Sequence, residues 1–177
     1  MKKALFIHGL QSDKNSSTGK KVKEILEEWG YECILQTFEV TEPLKTRKEV
    51  NDILKIGEIE LVVAHSLGAF YAFVSEGDVM RILINPCLKA EEDPCKLLPP
   101  GARPLIEYAT LKNEAETLIK ERKNIFALFG KNDELFSYKS YFETLYGTCY
   151  EMLDCGHRPD MESLQKGLKI ALEYLQK

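Results

Sequence analysis

One stretch, residues 58–74 (Glu-Ile-Glu-Leu-Val-Val-Ala-His-Ser-Leu-Gly-Ala-Phe-Tyr-Ala-Phe-Val), constrains the fold more than any other. Apart from Glu60, residues 59–64 are apolar and mostly β-branched, the pattern of a strand buried in a parallel sheet. Residues 69–74 are small and aromatic and read as a buried helix. Between them lies only Ala64-His65-Ser66-Leu67-Gly68, with no polar spacer long enough for an ordinary loop. A strand that runs straight into a helix needs a tight turn, and the residue at its apex is held in a strained backbone conformation. The residues two before and two after the apex must be small, because strand and helix backbones nearly touch there. Ala64 and Gly68 meet that demand, which leaves Ser66 at the apex. Its hydroxyl is lifted above the sheet edge, and the Leu67 N–H can face a developing negative charge.

Such a turn is a nucleophile elbow, here in the form A-x-S-x-G. A serine among small residues is also a common helix N-cap, so the surroundings decide between the two. Short apolar runs alternate with amphipathic ones along the whole chain. Strands are expected at 3–8, 31–38, 59–64, 80–85, 124–129 and 148–153. Helices are expected after a cap at Ser17 or Thr18, after a capping box at Thr46-Arg-Lys-Glu49, after the elbow, along Tyr138 to Leu145, and along Leu164 to Leu175. Alternation of this kind implies an α/β fold, with a mainly parallel six-stranded sheet, helices on both faces and strand order 2-1-3-4-5-6. All 177 residues suit a single domain. Functional residues in such sheets gather at the carboxyl ends of strands. His8, His65, Ser66, Asp133 and His157 all fall at or just beyond such an end.

A serine hydroxyl needs a base, and the base needs a third group to orient it. In chain order Ser66 is followed by Asp133, after the fifth strand, and by His157, after the sixth. Asp133 also suits an Asx-turn, and Glu134 and Asp154 are rival acids. Asp154 lies only three residues before His157, which makes a bond to that imidazole harder to arrange, so Asp133 is preferred. His65 points away from its neighbour Ser66 and is expected to pack beside the site, as is His8. Backbone N–H groups of Leu10 and Leu67 are the expected oxyanion donors.

Residues 87–123 break the alternation. The segment is too long for a plain connection. Either it is a surface excursion with one docked helix over 106–122, or it is a lid in which Leu97, Leu98 and Ile106 wall the substrate pocket and receive an acyl chain.

Four marks together resemble the YqiA-like family of small α/β-hydrolase esterases: Phe6-Ile-His-Gly-Leu10 with its serine-rich loop; His65-Ser-Leu-Gly68; Ile84-Asn-Pro86; and Gly130-Lys-Asn-Asp-Glu-Leu-Phe-Ser-Tyr138 followed by Cys155-Gly-His157. The resemblance implies the α/β-hydrolase fold, with Ser66, Asp133 and His157 as nucleophile, acid and base of an esterase or thioesterase. The chain departs from the pattern at Ala64, His65 and Ala69 and in the insertion. It is also similar to the serine hydrolases related to retinoblastoma-binding protein, which keeps a non-catalytic or partner-binding role on the same scaffold as the alternative.

The net charge of −4 argues against a nucleic-acid-binding surface. The apolar run after Met1-Lys-Lys is too short for a signal peptide, and no stretch is long enough to span a membrane. Five cysteines without C-x-x-C spacing fit reduced thiols of a cytoplasmic protein better than disulfides or a zinc site. A metal hydrolase using His8, His65, Asp133 and His157 lacks the usual ligand spacing. The expected partner is a small ester or thioester, with no cofactor.

Overall fold

The computed structural model describes residues 1–92, 98, 104–119 and 124–177. Six strands, β1 (Lys2–Ile7), β2 (Tyr31–Leu35), β3 (Ile59–His65), β4 (Met80–Ile84), β5 (Ile125–Gly130) and β6 (Tyr150–Leu153), form one parallel sheet in the order β2-β1-β3-β4-β5-β6. The helices are α1 (Ser17–Glu28), α2 (Pro43–Ile56), α3 (Leu67–Val74), α4 (Leu105–Thr117), α5 (Lys139–Tyr146) and α6 (Met161–Leu175). The expected strand order is the observed one.

Period-two alternation divides the strand side chains between two apolar layers. Leu5, Ile7, Val62 and Ala64 face the layer filled by Val50 of α2, Phe70 of α3, Tyr108 of α4 and Phe142 of α5. Ala4, Phe6, Leu61 and Val63 face the layer filled by Val22 and Ile25 of α1 and Leu164 and Leu168 of α6. Each Val, Leu, Ile or Phe side chain among them contributes about 1.5–3 kcal/mol on burial. Helix α3 has no solvent face at all, since its eight residues are all buried. Its carboxyl end is closed by the buried Arg81, whose guanidinium donates to the carbonyls of Ala72, Ser75, Glu76, Gly77 and Val79.

Two helix caps differ from expectation. Ser16, not Ser17 or Thr18, caps α1, its Oγ accepting the Gly19 N–H at 3.0 Å. Helix α2 begins at Pro43, whose fixed φ suits a first turn. Thr46 therefore lies inside α2, and its hydroxyl donates to the Glu39 carbonyl at 2.6 Å instead of capping. Strand β2 ends at Leu35, and Phe38 turns into the core, its N–H donating to His8 Nε2 at 2.9 Å.

The insertion contributes a docked helix. Tyr108, Leu111 and Ala115 of α4 are buried, and the Tyr108 hydroxyl donates to the Val40 carbonyl at 2.6 Å. Ile106 is 79% exposed. Leu97, expected in the pocket wall, lies outside the described residues.

The sheet register brings the strand exits level. Ile7 pairs with Ala64, His65 with Ile84, and Gly130 with Leu153. The loops that leave β1, β3, β4, β5 and β6 therefore meet at one edge.

Candidate active site

Ser66 sits between β3 and α3 at φ 59° and ψ −125°, a conformation that costs a non-glycine residue about 1–3 kcal/mol. Its neighbours hold it there. The Ser66 N–H donates to the Ile84 carbonyl at 3.0 Å, and the Ser66 carbonyl accepts from Ala69 and Cys87 at 3.1 Å each. The expected elbow is present, but the reason for Gly68 differs. A Cβ at Gly68 would lie 2.3 Å from the carbonyl oxygens of Ile7 and His8, so the crowding comes from the end of β1 rather than from β3. Gly9 is the second such position, where a Cβ would come within 2.9 Å of Ser66 Cβ and 3.3 Å of its Oγ.

The Ser66 hydroxyl lies 3.0 Å from His157 Nε2, across 91 residues of sequence. On the other side of the imidazole, Nδ1 is 3.0 Å from both carboxylate oxygens of Asp133. With the ring proton on Nδ1 donated to Asp133, Nε2 is left to accept the Ser66 O–H. Asp133 is itself oriented, because its Oδ1 accepts the N–H groups of Leu135 and Phe136 at 2.8 and 3.1 Å. Burial would raise the Asp133 carboxyl, but the bonds from His157, Leu135 and Phe136 outweigh it and hold the group below its ordinary range.

The rival acids do other things. Glu134 Oε2 accepts the His157 backbone N–H at 3.1 Å and does not reach the ring nitrogens. Asp154 is exposed. Phe136 meets the His157 ring edge-on, with centroids 5.1 Å apart.

His65 and His8 separate in role. The His65 ring packs on His157 at a centroid distance of 4.9 Å, and its Nε2 donates to the His157 carbonyl at 2.8 Å. His65 borders the cleft over Ser66, and burial pushes its imidazole down to about 4, so it is neutral at ordinary pH. His8 is 1% exposed, with Nδ1 against the Gly9 carbonyl and Nε2 against the Phe38 N–H, both at 2.9 Å. It is a structural brace and is not among the residues that line the cleft over Ser66.

The cleft over Ser66 has a volume of about 520 Å³. His65, Leu67, Leu135, Phe136, Ser17 and Arg158 are among the residues that line it. As the first residue of α3, Leu67 has no carbonyl one turn behind it to accept its N–H. Neither Ile106 nor Leu98 lines this cleft. Leu98 instead borders the adjoining groove, with Leu10, Phe38 and Val40. The part of the insertion expected to wall the pocket thus stands elsewhere wherever it is described.

Sequence reasoning gave Asn85 little weight, although it is 2% exposed at the end of β4. Its Nδ2 donates to the carbonyls of Gly156 and His157 at 3.0 Å each, and its Oδ1 accepts the Gly130 N–H at 2.6 Å. Its φ of 43° is in the left-handed region, which asparagine tolerates better than most residues. An asparagine ending a strand just before a proline was the available signal.

No protein-family model matches this chain. Nor does any curated protein. Solved structures do. Est1E from Butyrivibrio proteoclasticus superposes with a TM-score of 0.77 at 16% identity, covering 99% of this chain and 89% of its own. An esterase domain from a Rhodothermus marinus protein gives 0.67 at 16% identity, covering 99% and 86%. Alpha/beta hydrolase domain-containing protein 10 from mouse gives 0.63 at 18% identity, covering 98% and 90%. Likeness at such identities speaks for architecture, and with the sheet order and the turn at Ser66 it establishes the α/β-hydrolase fold.

Proposed function

We propose that this chain is a single-domain serine hydrolase that cleaves carboxylic esters or thioesters through an acyl-Ser66 intermediate. The observation that carries the reading is the unbroken hydrogen-bonded line from Asp133 through His157 to Ser66, with 3.0 Å at each step. In this reading His157 Nε2 takes the Ser66 proton as Oγ attacks the substrate carbonyl. Asp133 stabilises the imidazolium and fixes its tautomer. The N–H groups of Leu67 and Leu10 receive the negative charge of the tetrahedral intermediate, a contribution of about 2.7–4 kcal/mol per donor in k_cat elsewhere. His157 then returns the proton to the leaving alcohol or thiol. Water, deprotonated by the same imidazole, releases the acid and restores Ser66.

The fold neighbours support an ester substrate. One is an esterase domain, and Est1E has been solved with ferulic acid bound. The marks around Leu10, Ser66, Asn85 and His157 keep the YqiA-like esterases as the proposed family. Cys33, Cys149 and Cys155 are free thiols, which supports a cytoplasmic setting. Among the described residues no helix is long and apolar enough to cross a membrane. No observation favours a non-catalytic, partner-binding role, which would leave the three side chains without any need of alignment.

The test is labelling with a fluorophosphonate probe followed by peptide mass spectrometry. The adduct is expected on Ser66 and no other serine, and Ser66→Ala is expected to abolish both labelling and ester hydrolysis. Modification elsewhere, or turnover retained in the alanine variant, overturns the assignment.

A further inference from the structure

We propose that Asn85 and His65 are positioning residues that set the reach of the His157 imidazole by gripping its backbone carbonyl, an inference that rests on the serine-hydrolase reading. His157 stands in the loop after β6, and a loop by itself does not hold a side chain to the roughly 0.5 Å that proton transfer demands. Here the loop is held at the residue itself. The His157 carbonyl accepts two side-chain donors, His65 Nε2 at 2.8 Å and Asn85 Nδ2 at 3.0 Å. Those two donors match the two lone pairs of a carbonyl oxygen.

The origin of each donor matters. His65 is the residue before Ser66, so its bond ties the base directly to the backbone that carries the nucleophile. Asn85 directly follows β4 and makes a second tie. Its Oδ1 accepts the Gly130 N–H at 2.6 Å, where the chain leaves β5 toward Asp133, while its Nδ2 holds Gly156 and His157. One amide therefore links the loop of the acid to the loop of the base. Neither side chain is hydrogen-bonded to the Ser66 hydroxyl, so neither takes part in the proton transfer itself. Both act through the placement of His157.

The competing account is that two buried polar groups have simply found partners, as buried polar groups must. That account predicts lost stability with chemistry intact. The two are separated by His65→Phe, which keeps an aromatic ring beside His157 but removes the donor, and by His65→Gln, which restores an N–H donor. Asn85→Asp provides a second site, since it keeps the acceptor for Gly130 and sets a carboxylate against two carbonyl oxygens. The readouts are k_cat and K_M for p-nitrophenyl acetate, the fluorophosphonate labelling rate, and circular dichroism for fold.

His65→Phe is expected to lower k_cat and labelling by about 10²-fold, the scale of a 1 Å misplacement, with K_M little changed. His65→Gln is expected to recover most of the loss, and Asn85→Asp to behave like His65→Phe. A folded His65→Phe protein with wild-type k_cat overturns the proposal, and so does His65→Gln proving as slow as His65→Phe. If Asn85→Asp does not fold, the two His65 variants decide. Wild-type protein that takes no label at Ser66 removes the serine-hydrolase reading itself. A labelled wild type with unaffected variants removes only the positioning role.

Discussion

Glu134 Oε2 accepts the backbone N–H of His157 at 3.1 Å, while its neighbour Asp133 takes the ring of the same residue. Two adjacent carboxylates thus hold one histidine at two different places. Their substitutions should differ in kind. Asp133→Asn removes the partner that fixes the tautomer, and a loss of about 10⁴-fold in k_cat is expected from the comparable change elsewhere. Glu134→Gln keeps an acceptor oxygen for the N–H and should cost far less. Steady-state hydrolysis of p-nitrophenyl acetate by both variants checks this, and equal losses would remove the distinction.

The β1 carbonyls that press on Gly68 give a stability prediction. Gly68→Ala brings a Cβ to 2.3 Å from two backbone oxygens, which cannot yield as a flexible side chain would. Overpacking of this sort costs about 1–3 kcal/mol, occasionally more. Urea unfolding should show a lower midpoint. An unchanged midpoint would mean that the β1–α3 approach is looser than described.

His65 should leave a signature in the pH dependence of stability. Its imidazole is pushed by burial from 6.5 down to about 4. The unfolded chain therefore binds a proton in that window before the folded protein does, and folding stability should fall as pH drops from about 6.5 toward 4. Asp133 acts lower. Its carboxyl is depressed in the folded protein, so its contribution is present above the ordinary carboxylate value of about 3.9 and is lost as pH falls through the folded value. Denaturant titrations from pH 7 to 3 on wild type and His65→Gln test the first window. The variant should show a shallower decline between 6.5 and 4, and parallel curves would contradict the assignment.

The exposed Ile106 provides a control. Ile106→Ser should leave k_cat/K_M for acyl esters of every length unchanged, since α4 docks through Tyr108 and Leu111 and not through this residue. Measurement along a series from acetate to octanoate decides. A shortened chain-length preference in the variant would return α4 to the substrate wall.

Strand order, the elbow and the Ser66, Asp133 and His157 set were legible because each leaves a local mark: an apolar run, a small-residue turn, a polar residue just past a strand. What was not legible depends on which segments become neighbours. Nothing near Gly68 in sequence says that β1 will press against it. Nothing near Asn85 says that its amide will meet Gly130 and His157, 45 and 72 residues away. The insertion stayed open between two readings for a related reason. Apolar residues signal burial but not against what, and Tyr108 and Leu111 are buried in the body of the fold while Ile106 stays in water. The start of α2 was missed because Thr46 to Glu49 has the spacing of a capping box, yet Pro43 had already begun the helix.

The three groups of the candidate site come from β3, β5 and β6, and the base is fastened by residues at the ends of β3 and β4. During synthesis Ser66 is made 91 residues before the imidazole that would activate it. A growing chain that has completed the elbow still carries an ordinary alcohol there, without a base and without the clasp that would hold one. Under the proposed mechanism, reactivity would arrive only when β6 joins the far edge of the sheet and its loop closes back over β4. On the proposed mechanism the late position of His157 would act as a safeguard in time: unfinished chains would be chemically silent until the last strand and its loop are in place.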